Sequence, residues 1–428
     1  MKVPPPEIPS AALHYGAASY LDPEKVEREL RRTGEVCHQC RRCLPLCPAF
    51  PRLFELIDAT DREIAGVSMA GFDEVNELCF HCKLCYNHCP YTPPHEWDID
   101  FPALMRRQQQ VRAARDGVPL ARRLTTRTDW IGRLGSLTPA LMNFANRNAL
   151  ARAIQEKLLG IHRDWIQPSF HRETVKRWFA RRPRAAVREN GHAVLFTTCS
   201  VNYNDPETGK AAVEVLERSG VRVDLCYERC CGMPFTDTGD LEAVRRNARA
   251  NVADLLPYVD AGATVVAPGP SCSLMLKTEY PKLLGSAEAE RVAAHTKDLM
   301  EYVYELARAK KLSRDFKSPL GRIAYHAPCH LRAQNIGFRS RDVLQLAADE
   351  VVLVDACSGV DGTWGMQKRF YGESMQVASG MLARLRAVEP DWVSTDCPLA
   401  SLRIEKGLGV KPLHPVVLLR RAYQELTP

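Results

Sequence analysis

The sequence contains Cys37-His-Gln-Cys40-Arg-Arg-Cys43-Leu-Pro-Leu-Cys47-Pro48 and, further along, Cys79-Phe-His-Cys82-Lys-Leu-Cys85-Tyr-Asn-His-Cys89-Pro90. Both stretches read C-x2-C-x2-C-x3-C-P, and together they hold eight of the 16 cysteines of this 428-residue chain. Three thiolates at two-residue steps wrap a short loop around a metal cluster, whereas the fourth follows a longer step and points away. The proline then ends the loop and fixes the direction of the chain.

This spacing is typical of proteins that bind two [4Fe–4S] clusters, in which the fourth cysteine of each motif ligates the cluster of the other motif. Zinc sites usually combine two C-x2-C pairs, and a disulfide framework would require an oxidising compartment. We expect loop or packing roles for the histidines inside the motifs (His38, His81 and His88), because cysteines complete both clusters. The sequence therefore predicts one cluster on Cys37, Cys40, Cys43 and Cys89, and a second on Cys79, Cys82, Cys85 and Cys47.

The bulk composition is that of a soluble globular protein, with 45% hydrophobic and 25% charged residues. The length predicts roughly two to four domains. The start, MKVPPPEIPSAALHYG, lacks the apolar core of a secretory signal, and no run of about 18 apolar residues predicts a membrane-spanning helix. We therefore expect a cytoplasmic protein, or one peripheral to the cytoplasmic face of the membrane, with no nucleic-acid partner.

The region around the two motifs is expected to be helical. A helix is predicted over roughly Pro23–Thr33, after a Pro-rich lead in residues 1–30. The 31 residues between Cys47 and Cys79 contain two more helical stretches, Arg52–Asp61 and Asp73–Leu78. This favours a helical ferredoxin module, with its clusters clamped between helices, over the β-hairpin type.

The middle of the chain, residues 106–190, is basic and helical in pattern. It holds 19 Lys and Arg against 6 Asp and Glu, whereas the remainder holds 39 against 45. We interpret it as a solvated helical linker whose apolar stripe packs on the next domain. The alternative is a docking surface for an anionic membrane or an acidic partner. The stripe consists of Leu141, Phe144, Leu150, Ile154, Leu158 and Leu159, with Asn143, Asn146 and arginines on the other side.

From residue 191 onward the pattern is α/β and repeats after about 125–130 residues. Predicted strands of the first copy are 193–198, Val221–Leu225 and Thr264–Ala267, and those of the second are Arg322–His326, Val351–Val354 and Trp392–Thr395. Helices are predicted at Glu207–Ser219 and Arg339–Ala348. Because ligand sites of α/β folds gather at the carboxyl ends of strands, thiols that follow the strands are candidate ligands. They are Cys199, Cys230, Cys231 and Cys272 in the first copy, and Cys329, Cys357 and Cys397 in the second.

The pattern Cys199…Cys230-Cys231-Gly232…Cys272 resembles the CCG domain of heterodisulfide reductases. Two C-x2-C-x2-C-x3-C-P motifs followed by two such copies are similar to the D subunit of heterodisulfide reductase, to the C subunit of anaerobic glycerol-3-phosphate dehydrogenase, and to the iron–sulfur subunits of glycolate and lactate oxidases. CPYTPPHEWDIDFPALM at 89–105 and YHAPCHLRAQNIG at 325–337 look like the glycerol-3-phosphate branch. The resemblance spans about residues 30–428.

The resemblance implies a five-cysteine CCG domain that binds a noncubane [4Fe–4S] cluster and reduces disulfides, but both copies depart from it. Met275 takes the last cysteine position of the first copy, and Ser358 and Ala400 replace two cysteines of the second. We expect one further cluster, carried mainly by the first copy. The alternative is that these seven thiols bind nothing and act as small buried hydrophobes. Cys226 has no counterpart and is expected to be a core thiol.

The predicted fold is α+β and multidomain. It comprises a helical two-cluster ferredoxin domain at 1–105, a basic helical arm at 106–190, and CCG repeats at 191–315 and 316–428. The predicted function is relay of electrons between a flavoprotein-type partner and an acceptor such as quinone, as the electron-transfer subunit of an oxidoreductase complex rather than its catalytic subunit. The alternatives are a disulfide or heterodisulfide reductase acting at a CCG cluster, and an electron donor to a rubrerythrin-like peroxidase.

Side chains near the thiols are expected to adjust the cluster potentials. Arg41, Arg42 and Lys83 lie inside the motif loops and would favour the reduced, more negative clusters. His326 and His330 flank Cys329. Each is either a hydrogen-bond donor or proton relay beside a cluster, or a histidine that caps local backbone at a strand end.

Overall fold

The computed structural model describes residues 4–9, 15, 19–183 and 190–425. Parts of the predicted Pro-rich lead and residues 184–189 of the predicted arm lie outside the described residues. The predicted α+β multidomain architecture is confirmed, with helices at the N-terminal end followed by two α/β units. None of the helices in these ranges is long and apolar enough to cross a bilayer.

Five α-helices form the N-terminal part. The Asp22 side chain caps the first helix, which continues beyond the predicted end at Thr33 as far as Cys40. Gly34 does not end this helix; it allows close packing, since a Cβ there would lie 2.6 Å from the Ile64 side chain. The helices are α1 (Pro23–Cys40), α2 (Ala49–Asp58), α3 (Met69–Glu77), α4 (Leu84–His88) and α5 (Phe101–Asp116), with a 3-10 turn at Glu63–Gly66.

The basic arm is helical as expected, but its predicted packing is wrong. Leu141 and Phe144 are each 65% exposed and Leu150 is 72% exposed, so the apolar stripe faces outward instead of packing on the next domain. Leu159 alone of the six packs inward, against the cluster that contains Ile161. The helices are α6 (Leu120–Thr125), α7 (Thr128–Leu137), α8 (Pro139–Arg147), α9 (Ala149–Leu159) and α10 (Val175–Arg181).

The first α/β unit contains four strands and eight α-helices in the described chain. It consists of β1 (Gly191–Leu195), α11 (Cys199–Tyr203), α12 (Pro206–Arg218), β2 (Val221–Leu225), α13 (Met233–Thr236), α14 (Leu241–Asp260), β3 (Thr264–Ala267), α15 (Pro270–Leu274), a π-helical turn at Met275–Glu279, α16 (Tyr280–Leu284), α17 (Ala287–Ala294), β4 (Thr296–Asp298) and α18 (Leu299–Arg308).

The second α/β unit repeats the first in shorter form. It consists of β5 (Arg322–His326), α19 (Cys329–Ala333), α20 (Arg339–Leu344), β6 (Glu350–Val354), a 3-10 turn at Trp364–Met366, α21 (Tyr371–Ala387), β7 (Trp392–Thr395), α22 (Pro398–Leu408) and α23 (Pro415–Ala422).

The two sheets have the same topology. The first is ordered β2-β1-β3-β4 and the second β6-β5-β7, with every described pairing parallel. Gly191 pairs with Val221 in the first sheet as Arg322 pairs with Glu350 in the second. The extra strand β4 was not predicted, because Thr-Lys-Asp has no apolar run. Parallel strands place all their carboxyl ends, and the cysteines that follow, at one edge of each sheet.

The two units share one hydrophobic cluster, in addition to a cluster of their own. Side chains from β1, α12 and α18 of the first unit and from β5 and α23 of the second belong to one buried cluster. Helices α15 and α19, which carry Cys272 and Cys329, also touch: Ser271 Oγ and His330 Nδ1 lie 2.8 Å apart. The thiol-bearing edges of the two units therefore face each other.

Gly359 adopts a left-handed backbone beside Cys357. Its φ is 64°, and a Cβ there would lie 2.3 Å from the carbonyl oxygen of Ser374. Gly359→Ala should therefore lower the free energy of unfolding by at least about 1–2 kcal/mol. The control is Gly380→Ala in α21, where a Cβ would meet nothing within 4 Å and stability should rise by about 0.5–1 kcal/mol. Anaerobic urea denaturation compares them, and equal stabilities would contradict this account of the turn.

Candidate iron–sulfur sites

Cysteines of both motifs line one cavity. Cys37 and Cys40 lie on the last turn of α1, Cys43 lies in the turn that follows, and Cys89 comes directly after α4. The structure thus brings together the four residues of the first predicted set. Four thiols between apolar walls fit a [4Fe–4S] cluster, which thiolates bind and burial tunes. The other lining residues are Val36, Arg42, Phe50, Phe54, Pro90, Tyr91 and Ile99.

The second predicted set also lies together. Cys79 follows α3, Cys82 and Cys85 flank Lys83 at the start of α4, and the thiol of Cys47 acts electrostatically on all three. The two motif loops turn in the same way, because Arg41 (φ 49°) and Lys83 (φ 62°) follow the second cysteine of each motif in a left-handed conformation. Cys47 and Cys89 therefore each lie with the other motif, and their ligation of a cluster stays a prediction.

The surroundings of these thiols suit a metal cluster. Burial raises the pKa of Cys43 to about 11 and that of Cys47 to about 12. A buried thiol keeps its proton at neutral pH unless a metal takes the proton's place, so a group of buried thiols is consistent with a metal site. Within the described ranges, no three His, Cys, Asp or Glu side chains converge on the position of a single metal ion. This finding concerns sites for a single ion, whereas an iron–sulfur cluster contains several irons.

The four thiols of the first α/β unit form a continuous chain. Cys199 contacts Cys230, Cys230 contacts Cys231, and Cys231 contacts Cys272. The backbone of the Cys-Cys pair is held from two sides: Tyr280 donates to the Cys231 carbonyl at 2.8 Å and Asn251 donates to the Cys230 carbonyl at 3.1 Å. Both members of the pair are buried, as is Cys272. The structure therefore assembles four candidate thiolate ligands in one place.

The arm contributes a carboxylate to this thiol chain that the sequence reasoning missed. Asp129 of α7 accepts hydrogen bonds from the Tyr227 hydroxyl and from the backbone N–H of Cys230. Burial raises the pKa of Asp129, while these two donors partly offset that effect. The only sequence signal was an isolated acidic residue in a basic helical stretch, which does not reveal a contact 101 residues along the chain.

The thiols of the second α/β unit lie beside the ferredoxin motifs. Burial raises the pKa of the Cys329 thiol. The nearby thiols of Cys82, Cys397 and Cys357 raise it further, and Cys82 has the largest effect of the three. Backbone N–H groups of Gly359 and Ala400 donate to the Cys357 and Cys397 sulfurs at 3.3 and 3.5 Å. This trio therefore belongs to the surroundings of the second motif. Cys226 stands apart in the core of the first unit, with its sulfur 3.6 Å from the Asp254 carbonyl.

The two histidines that flank Cys329 have different roles. His326 bonds to the Thr395 hydroxyl at 3.0 Å and to the Ala356 carbonyl at 3.1 Å. Burial lowers its pKa to about 4, so it is neutral and caps local backbone. His330 instead joins the two units through Ser271.

The histidines inside the motifs are a mixed set. His38 pairs with Asp58 at 2.9 Å, and His88 accepts from Arg42 at 3.2 Å. His81 is buried, and its Nδ1 has no hydrogen-bond partner among the described residues.

Two of the three cations inside the motif loops are paired with acids. Arg41 forms an ion pair with Asp58. Lys83 pairs with Glu279, which is 2% exposed and also accepts from Arg106 at 2.6 Å. Burial alone would raise the pKa of Glu279, but Arg106 and Lys83 hold it well below its usual range. Lys83 is therefore part of a buried group of two cations and one carboxylate rather than a lone lysine.

Comparison with known families agrees with this arrangement. Residues 30–115 match the family described as the Citrate utilization protein B Fer4-like domain. Residues 193–277 and 323–404 each match the CCG family, described as a cysteine-rich domain. The two matched CCG regions contain the strands that repeat in the structure, together with their thiols.

Curated relatives carry names from redox metabolism. The chain is 27% identical over 306 residues to the C subunit of anaerobic glycerol-3-phosphate dehydrogenase of Escherichia coli (strain K12), covering 69% of this chain and 75% of that protein. It is 30% identical over 220 residues to lactate utilization protein A of Geobacillus kaustophilus, covering 47% and 86%. It is 30% identical over 244 residues to the B subunit of fumarate reductase (CoM/CoB) of Methanothermobacter marburgensis, covering 54% and 46%.

The thiol sets, the Fer4-like region and the two CCG regions thus indicate the same family. The chain belongs to the CCG-domain family of iron–sulfur electron-transfer proteins, the family of the anaerobic glycerol-3-phosphate dehydrogenase C subunit and of lactate utilization protein A.

Proposed function

We propose that this chain relays electrons, through two [4Fe–4S] clusters, between a flavoprotein of the dehydrogenase type and an acceptor such as a quinone. The observation that carries the proposal is the crossed arrangement of thiols, in which Cys89 of the second motif lines the cavity of Cys37, Cys40 and Cys43. Such crossing places two clusters side by side, as a relay requires. We propose domains at 1–105, 106–190, 191–315 and 316–428 for this arrangement.

The residues have distinct tasks in this relay. The thiolates of Cys37, Cys40, Cys43 and Cys89, and of Cys79, Cys82, Cys85 and Cys47, hold clusters that accept and release single electrons. The apolar side chains around the first cavity partly shield the sulfurs from water. The buried Lys83–Glu279–Arg106 group places a net positive charge beside the second motif, which favours the reduced and more negative state there.

We further propose a third cluster on Cys199, Cys230, Cys231 and Cys272. These four thiols form one chain of neighbours, whereas the second unit offers three, with Ser358 and Ala400 in the remaining positions. Met275 is fully buried and is a softer, weaker ligand than a thiolate. The trio of Cys329, Cys357 and Cys397 is then part of the environment of the second motif.

A disulfide or heterodisulfide reductase remains the second candidate, because the four contacting thiols of the first unit are the part of the chain suited to that chemistry. A rubrerythrin-like peroxidase is an alternative partner to the flavoprotein. Two of the relatives are named as subunits of larger enzymes, which favours a role as electron carrier over that of catalytic subunit.

The third cluster is tested by counting iron. Anaerobically purified wild-type protein should bind about twelve irons per chain, since each cluster contains four. Cys231→Ser should lose about four of them, because it removes one of four ligands. Cys226→Ser is the matched control and should lose none, since Cys226 lies outside every thiol set. A wild-type count of about eight, unchanged in Cys231→Ser, would contradict the third cluster.

The charged group beside the second motif is tested by two substitutions with opposite signs. Lys83→Met removes a positive charge and should lower the midpoint potential of the nearby cluster by roughly tens of millivolts. Glu279→Gln removes the negative charge that offsets Lys83 and Arg106, and it should raise that potential by a similar amount. Redox titration followed by electron paramagnetic resonance gives both potentials. Lys311→Met is the control, because Lys311 is exposed beyond the end of α18 and its loss should leave the potential unchanged. Shifts of the same sign in both variants would be incompatible with the proposal.

The choice between an electron relay and a disulfide reductase is tested with the reduced protein. A water-soluble quinone should reoxidise it within the dead time of ordinary mixing, while a small-molecule disulfide should leave it reduced. Stopped-flow absorbance of the clusters measures both reactions. Stoichiometric reduction of the disulfide at a comparable rate would overturn the relay in favour of the reductase, and preferential oxidation by a rubrerythrin would replace the quinone as acceptor.

A further inference from the structure

Helices α6 to α9, residues 120–159, pack with their polar and small residues inward. The buried residues of α9 are Arg152 and Glu156, and those of α7 are two glycines and Ser136. Arg152 donates to the backbone carbonyls of His162 and Trp165 at 2.8 and 2.9 Å. Asn143 of α8 likewise exchanges hydrogen bonds with the backbone of Phe170. This is the reverse of an ordinary surface helix, which buries its apolar stripe.

The outward side of the same four helices is apolar. Trp130 is 63% exposed and Leu158 is 68% exposed. Single exposed leucines are normal on a protein, but ten large exposed apolar residues on four consecutive helices mark an interaction surface. This outer face consists of Leu120, Leu124, Trp130, Leu134, Leu137, Leu141, Phe144, Leu150, Ile154 and Leu158.

Within residues 120–159 the exposed charges all have one sign. Both acidic residues of the segment point inward: Asp129 bonds to Cys230, and Glu156 pairs with Arg163 at 3.0 Å. In the part of the chain that the structure describes, none of the basic residues Arg123, Arg127, Arg147 and Lys157 forms an ion pair. The exposed charged residues are Arg123, Arg127, Arg133, Arg147 and Lys157.

We propose that the outer face of α6–α9 binds the surface of a bilayer that contains anionic lipid. Large apolar side chains on helices whose exposed charges are all Lys and Arg match the chemistry of an interface, where acyl chains lie beneath anionic headgroups. Short helices that expose Trp, Phe and Leu suit an in-plane position at that depth. The inference rests on the proposed function, since it places the chain where a quinone acceptor is dissolved.

The same helices connect the outer face to the thiols. On α7, Trp130, Leu134 and Leu137 point outward, while the neighbouring Asp129 reaches the backbone of Cys230. A helix with its side chains is about 10 Å thick. The thiol chain of the first unit therefore lies about one helix thickness from the lipid surface.

Binding is measured by flotation of the anaerobically purified full chain with vesicles. One set contains equal parts phosphatidylcholine and phosphatidylglycerol, and the other contains phosphatidylcholine alone. The wild type should float with the anionic vesicles and bind the neutral ones at least tenfold more weakly. The double variant Leu141→Glu with Phe144→Glu should bind anionic vesicles about a hundredfold more weakly. Arg147→Gln with Lys157→Gln should weaken binding roughly thirtyfold.

Matched controls separate this surface from general effects of charge or hydrophobicity. Val410→Glu changes an apolar residue that is 55% exposed in the second unit, and Lys310→Gln with Lys311→Gln removes two exposed cations elsewhere. Both should bind like the wild type. Iron content and elution volume show that each variant is folded. The variant Arg147→Gln with Lys157→Gln changes only surface side chains.

Three results would overturn the proposal: no flotation of the wild type, equal loss in the controls, or a dimer that dissociates in the Leu141→Glu, Phe144→Glu variant. The dimer would assign the outer face to a second copy of this chain. Oxidation of the reduced protein by a soluble quinone does not need the outer face. Its retention in a variant that no longer floats would show that the relay stands and that only the lipid contact is in question.

Discussion

The buried carboxylate of Glu279 joins the parts of this protein. It lies at the end of the π-helical turn that follows Cys272, and it receives Lys83 from the second cysteine motif and Arg106 from α5. A charge this deeply buried is tolerated only when it is paired, and removal of one partner leaves the others unsatisfied. The loop that carries Cys82 and Cys85 is therefore tied to the helix that carries Cys272. Any change in charge at this junction acts on the ferredoxin part and on the first CCG unit together.

The two CCG units serve different neighbours although they share one topology. The thiols of the second unit lie against the second cysteine motif, and Asn87 of α4 reaches the Arg332 carbonyl of α19 at 3.1 Å. The thiols of the first unit lie against α7 of the arm. Ser358 and Ala400 stand in the unit that is already adjacent to a proposed cubane, whereas the more complete cysteine set faces the proposed lipid side. The proposed relay depends on this order of the sites along the molecule.

Much of this arrangement was predictable from local sequence signals. The strands Val221–Leu225, Thr264–Ala267, Arg322–His326 and Trp392–Thr395 occur where they were predicted, because short β-branched and apolar runs identify buried parallel strands. The spacing of the motif cysteines predicted which thiols come together. Helix boundaries were less accurate: α1 continues to Cys40 because Gly34 serves close packing rather than termination.

The remaining features depend on contacts between distant segments. The apolar stripe of the arm was found from its helical period, but periodicity does not say whether a stripe faces the core or the solvent. Its direction is set by Asn143 and Arg152, whose hydrogen bonds to backbone carbonyls hold the polar side inward. The roles of Asp129 and Glu279 could not be predicted from the neighbouring sequence, because the partners of both residues lie far away along the chain.

The relay depends on crossed ligation of two clusters, and variants of single ligands show whether the crossing occurs. Cys89→Ser, Cys37→Ser, Cys47→Ser and Cys79→Ser are compared by electron paramagnetic resonance of the reduced proteins. The account predicts that Cys89→Ser perturbs the same cluster signal as Cys37→Ser, and that Cys47→Ser perturbs the same signal as Cys79→Ser. If Cys89→Ser instead perturbs the signal altered by Cys79→Ser, each motif binds its own cluster and the crossed arrangement is wrong.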